Sequence, residues 1–157
     1  MILVIVGLMY GFNRLLIAVD DIAEKMEEEI MMQIGESSYI PKNAKYFRYT
    51  SEENINELYR QSRIVICHAG VGSIMNALEY GKPVIVVPRR KELGEHFDDH
   101  QLEIANELSR SGMIHIANDI DTLRNSILEI NEKSVEINKT NNSLTNQLKI
   151  YIQSLNK

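Results

Sequence analysis

The residues best able to do chemistry in this chain are crowded into one stretch. From Val65 to Pro88 it reads VICHAGVGSIMNALEYGKPVIVVP: an apolar run ending in His68-Ala69-Gly70, a small-residue turn, then a second apolar run after Gly81-Lys82-Pro83. Gly70 and Gly72 let a ligand approach the backbone closely, and a helix opening at Val71 directs unpaired N–H groups outward. Ser73 adds a hydroxyl and His68 a ring N–H. Such a turn either cradles a phosphate or diphosphate or simply joins strand to helix and binds nothing. A lone Gly-x-Gly does not separate the two readings.

Two familiar phosphate motifs are excluded. A Walker loop needs glycine at a fixed offset before Gly-Lys-Ser/Thr, whereas Gly81-Lys82 is followed by Pro83. A dinucleotide fingerprint belongs after the first strand of its unit, and Met75 stands where its third glycine would be. His96 and His100 would share a helix face if a helix ran through both, but acidic residues at a helix start have their own dipole rationale, and no metal is expected. Arg89, Arg90 and Lys91 form a basic run, read as a solvated loop, with Arg89 turned to an anion as the sharper alternative. Cys67 is expected only to pack, and His115 to lie on an edge strand.

The elements that must position these residues alternate. Ile2 to Val6 is a short apolar run closed by Gly7, the pattern of a strand buried on both faces. Phe12, Leu15, Leu16, Val19, Ile22, Met26 and Ile30 recur at helical spacing. Strands are predicted at Met31 to Gly35 and Ala44 to Tyr49, then a helix capped by Ser51. Ile64 to Cys67 is the fourth strand, Val71 to Tyr80 the helix after the turn, and Val84 to Val87 the fifth strand. A helix from about Phe97 to Ser111, a short strand at Met113 to Ile116 and a helix through Ile120, Leu123, Ile127 and Ile130 complete the series. The pattern predicts an α/β fold, a parallel Rossmann-like sheet with helices on both faces. In the tail, Leu144, Leu148, Tyr151 and Leu155 form a helical stripe, so an appended amphipathic helix is expected there.

The totals agree with a single domain of 157 residues, 44% hydrophobic and 25% charged. A formal net charge of -5 argues against nucleic-acid binding, which relies on a cationic surface. The single cysteine fits a reducing compartment. No apolar run reaches the roughly 20 residues of a spanning helix, and MILVIVGLMYGF lacks a basic n-region, so a cytoplasmic location is expected.

HAGVGSIMNALEYGKPVIVVP, with FDDHQLEIANEL downstream, resembles the C-terminal, donor-binding half of GT-B glycosyltransferases of the family 28 type. Within that family it is most similar to the small stand-alone subunits of split N-acetylglucosaminyltransferases. The likeness runs from Met1 to Leu128 and implies one half of a GT-B fold, with a UDP-sugar-binding domain over 1–130 and a tail over 131–157. It implies that His68, Gly70, Gly72 and Ser73 hold the diphosphate; Val71 and Arg89 are counted with them as donor-binding residues. Asn76 stands where many relatives place a glutamate on the ribose hydroxyls, and His100 and Gln101 would reach the donor sugar. The first loop, GLMYGFN, replaces a more polar Gly-Thr-type sequence. No cofactor is implied, the UDP-sugar being the donor substrate. No residue here is assigned as catalytic base. The resemblance implies a membrane-associated partner subunit that supplies the acceptor half, recruitment to the cytoplasmic membrane face, and a lipid-diphosphate-linked acceptor. The alternatives are a non-catalytic nucleotide-sugar or partner-binding module and, less in keeping with one domain, a UDP-sugar 2-epimerase.

Overall fold

The computed structural model describes residues 1–133, with side chains to Ile130. The predicted tail stripe at Leu144, Leu148, Tyr151 and Leu155 lies outside the described residues.

Six strands form one wholly parallel sheet: β1 (Ile2–Ile5), β2 (Ile30–Gln33), β3 (Lys45–Phe47), β4 (Ile64–Cys67), β5 (Val84–Val86) and β6 (His115–Ile116). Their order is β3-β2-β1-β4-β5-β6. The helices are α1 (Asn13–Ala23), α2 (Glu52–Gln61), α3 (Val71–Glu79), α4 (His100–Arg110) and α5 (Ile120–Lys133), with a 3-10 turn at Lys91–Leu93. Side chains alternate across the pleat and build two cores. Ile2, Val4, Met32, Ile64, Ile66 and Ile85 meet α1 and α5 on one face. Leu3, Ile5, Val65, Cys67, Val84 and Val86 meet α2, α3 and α4 on the other. This is the expected Rossmann-like fold. Among the described residues no helix is long and apolar enough to cross a membrane.

Several boundaries differ from the sequence expectation. α1 stops at Ala23, and Ile30 opens β2 opposite Ile2 instead of closing the helix. Three consecutive glutamates, Glu27 to Glu29, would sit at the negative end of a longer helix, where the dipole disfavours them. α4 begins at His100 and not Phe97, because Asp98 accepts a hydrogen bond from the His100 backbone N–H at 3.2 Å and Asp99 takes the N-cap position. α2 starts as expected, with the Ser51 hydroxyl accepting from Asn54 N–H.

Asp20 is the buried anchor behind β3. Its carboxylate accepts from the backbone N–H groups of Lys42, Asn43 and Ala44 and from the Tyr39 hydroxyl, all at 2.8–3.1 Å. Burial opposes the charge, but these donors outweigh it and hold the Asp20 pKa below the ordinary carboxylate value. The stabilisation is therefore full above about pH 4 and is lost as pH falls through the lowered folded-state pKa. Asp20→Ala, which strands several buried N–H groups, should cost about 2–4 kcal/mol in urea unfolding at neutral pH. The gap from wild type should narrow as pH is lowered below about 4; a gap independent of pH would contradict this role.

Candidate functional site

A cleft of about 720 Å³ opens at the carboxyl ends of β1 and β4, where the strand order reverses. Open parallel sheets offer ligand crevices at this switch point, because the chain leaves adjacent strands toward opposite faces. Its walls come from the first loop, the end of β2, the loop before α2, the β4–α3 turn and the segment after β5. Seven of the sequence-predicted residues line it: His68, Gly70, Gly72, Ser73, Asn76, Arg89 and Gln101. Val71 does not line it. His100 is not brought in either: its side chain is 74% exposed, with Nδ1 3.3 Å from Glu103. His96 precedes α4 and pairs with Asp98 at 3.1 Å, so the two histidines do not share a helix face.

His68 is wedged between two loops. A Cβ built on Gly70 would lie 2.1 Å from the His68 Nε2, and one on Gly7 2.9 Å from its Cε1. Gly7 also has φ of +86°, a conformation that side chains disfavour. Both glycines are therefore required by the imidazole they flank. Burial is the main cause lowering the His68 pKa to about 4, and the neighbouring Arg89 charge adds to it, only partly opposed by the Ile5 carbonyl. The ring is neutral at pH 7, with Nδ1 buried and without a partner among the described residues.

Gly72 is different. Its φ is ordinary, it is exposed, and a Cβ there would meet nothing within 4 Å among the described residues. It sits in the first turn of α3, whose N-cap is Gly70, with no side-chain cap and no acidic residue in that turn. α2, by contrast, is capped by Ser51 and carries Glu52 and Glu53 in its first turn. The uncapped N-terminus of α3 thus presents N–H groups and a positive dipole end to the cleft.

The Arg89 expectation needs correction. Its side chain is only 2% exposed, not in a solvated loop. The guanidinium donates to the carbonyls of Gly11 at 2.6 Å, Val6 at 2.8 Å and Tyr10 at 2.9 Å, and lies 4.4 Å from the Phe12 ring centroid. Its hydrogen bonds go to the first loop, so it holds that loop in place while its charge remains beside the cleft. Its backbone N–H reaches the Gln101 Oε1 at 3.4 Å, which orients Gln101 along the cleft wall.

Sequence reasoning missed Arg14 and Glu95, which form a two-pronged ion pair at 2.7 and 2.9 Å linking α1 to the segment after β5. Eighty-one residues separate them, and no local pattern marks the pair. It also missed Tyr59, on the cleft wall with its hydroxyl beside the Asn76 amide; burial is the largest cause raising its pKa. Gln33 was missed too, although a polar residue closing the apolar run of β2 was a signal in itself.

A model of the glycosyltransferase family 28 C-terminal domain matches residues 1–155. UDP-N-acetylglucosamine transferase subunit ALG13 of Mus musculus is 32% identical over 88 residues, 53% of this chain and 7% of that protein. The subunit of the same name from Yarrowia lipolytica is 39% identical over 77 residues, 49% of this chain and 36% of that protein. The chain thus matches well under two thirds of the length of these relatives. Among solved structures, UDP-GlcNAc 2-epimerase from Neisseria meningitidis aligns with a TM-score of 0.62 at 15% identity, over 98% of this chain and 43% of that one. MurG of Acinetobacter baumannii aligns with a TM-score of 0.58 at 20% identity, over 82% and 40%. At these identities the structures show a shared fold.

Three outcomes follow from this geometry. The His68 imidazole resonances should stay those of a neutral ring until pH nears 4, and a ring titrating near 6.5 would contradict its burial. Because the unfolded chain takes up that proton first, His68 should lower stability as pH falls from about 6.5 to 4, by up to about 1.4 kcal/mol per pH unit. Gly70→Ala should lower the melting temperature by displacing the ring, whereas Gly72→Ala should leave it unchanged or raise it slightly, alanine being the better helix former.

Proposed function

The chain belongs to the glycosyltransferase family 28 C-terminal domain family, and on that premise we propose that it is the donor-binding subunit of a two-component glycosyltransferase. The donor is a UDP-sugar, with UDP-N-acetylglucosamine favoured by the names of the relatives. The observation that carries this reading is Gly72. Glycine in a helix costs about 0.5–1 kcal/mol relative to alanine, and no described residue requires it there. A diphosphate pressed against the first turn of α3 does require it.

The chemistry suits the cleft. In transfer, an acceptor hydroxyl attacks the anomeric carbon, the bond to the diphosphate oxygen breaks, and UDP departs with the electron pair. The developing charge falls on phosphate oxygens, which the α3 N–H groups, the Ser73 hydroxyl and the buried Arg89 cation can stabilise in place. A neutral His68 serves as a hydrogen-bonding group there and not as a second cation. Gln101 lies on the β5 side, suited to the sugar hydroxyls.

The acceptor and the base that deprotonates it come, in this reading, from a second protein. Support lies in relatives named as subunits of a transferase. The partner is membrane-associated and the acceptor is a sugar on a lipid diphosphate.

Titration calorimetry should show UDP and UDP-N-acetylglucosamine binding to the isolated chain. Gly72→Val should weaken both at least about tenfold without lowering the melting temperature. Gln101→Ala should weaken the UDP-sugar about two- to tenfold and leave UDP nearly unchanged, as expected for one hydrogen bond to a neutral group. Unchanged affinity in Gly72→Val would remove the proposed location. Donor binding without transfer in a reconstituted pair would favour a non-catalytic binding module.

A further inference from the structure

We propose that Gln33 is a specificity residue of the same cleft, its carboxamide oxygen accepting a hydrogen bond from the nucleoside of the bound donor; this rests on the function proposed above. Gln33 closes β2 and is 7% exposed, yet its Oε1 is buried without a hydrogen-bond partner among the described residues, and the residue lines the cleft. Its register places it in one row across the sheet with Ile5 on β1, Cys67 on β4 and Val86 on β5. Those three neighbours in the row are apolar and packed in the α2–α4 core. An amide buried there with an open acceptor is unfavourable for the empty fold, so its presence points to a donor brought by a ligand.

The row also says which part of the ligand that is. The diphosphate cradle follows Cys67 on β4, and Gln101 stands beyond β5 against the Arg89 backbone. Gln33 lies on the other side of the cradle, about two strand spacings, or 10 Å, from β4. A nucleoside diphosphate sugar with its sugar toward Gln101 must extend its nucleoside toward β2. The base N–H and the ribose hydroxyls are the donors it carries, and Gln33 offers the acceptor. Tyr59 and Ile55 supply apolar wall beside it.

The test is calorimetry on the full 157-residue chain, wild type against Gln33→Met, with UDP and with UDP-N-acetylglucosamine. The substitution keeps the length and apolar bulk of the side chain and removes the acceptor. Both ligands should weaken by the same factor, about three- to tenfold, while the ligand-free melting temperature holds or rises as the orphaned polar atom disappears. Unchanged affinities, or a loss confined to the UDP-sugar, would overturn the assignment. If the wild-type chain binds neither ligand, the proposed function fails and this assignment with it; if wild type and variant bind equally, only the Gln33 assignment falls. Should the variant not fold, the side-chain amide resonance of Gln33 in the wild-type chain decides the matter: it should shift on adding UDP, and a resonance that stays in place would overturn the proposal.

Discussion

The buried guanidinium of Arg89 is the constraint on which the cleft depends. A cation taken out of water is costly unless its donors are satisfied, and here they are met by the carbonyls of Val6, Tyr10 and Gly11, with the Phe12 ring alongside. Those carbonyls belong to the loop that leaves β1, while Arg89 itself follows β5. The interaction therefore ties together two segments on either side of β4. With the first loop held, Gly7 lies against the His68 ring, and His68 in turn fits against Gly70 at the start of α3. Cleft mouth, histidine and helix N-terminus are thus positioned in sequence by one side chain. The Arg14–Glu95 pair reinforces the same join from the α1 side, and its Glu95 also accepts the Arg90 backbone N–H.

This arrangement gives an acidic chain a crevice that holds a fixed cation and an uncapped helix end, with Glu52 as a carboxylate on its wall. The hydrogen bonds of Arg89 go to neutral carbonyls, so its charge is not cancelled by contact with a carboxylate, while Glu95 is engaged by Arg14. The helix entering the cleft lacks both a capping side chain and first-turn acids, whereas α2 nearby has both. Burial keeps His68 uncharged. An anion entering the cleft would meet N–H donors, one dipole end and one fixed cation, with little rearrangement of the protein.

Much of this was legible in the residues. The short apolar runs predicted a parallel sheet, and the boundaries of β4 and the Ser51 cap are as the local chemistry implies, because both depend on neighbours in sequence. His68, Gly70, Gly72, Ser73 and Asn76 reach the cleft because one strand–turn–helix unit fixes their directions, and Gln101 reaches it from the first turn of α4. What escaped depends on distance along the chain. Arg89 looked like a solvated member of a basic run, since its carbonyl partners lie 78 to 83 residues away. His100 looked equivalent to Gln101, but the later start of α4 turns it to solvent. Ile30 kept the α1 period while pairing as a strand, because period alone cannot show where a run of glutamates ends a helix.

The most direct measurement is a map of backbone amide shifts on titrating UDP-N-acetylglucosamine into the isotopically labelled chain. The expected changes form one continuous set over Gly7 to Gly11, His68 to Ser73 and Arg89 to Gln101, following the cleft across the carboxyl edge of the sheet. A second hollow of about 160 Å³ lies between α1 and α5, lined by Arg14, Leu15, Asn118 and Leu123 among others. Shifts confined to that hollow, with the β4–α3 turn unmoved, would contradict a donor site built on His68, Gly72 and Arg89.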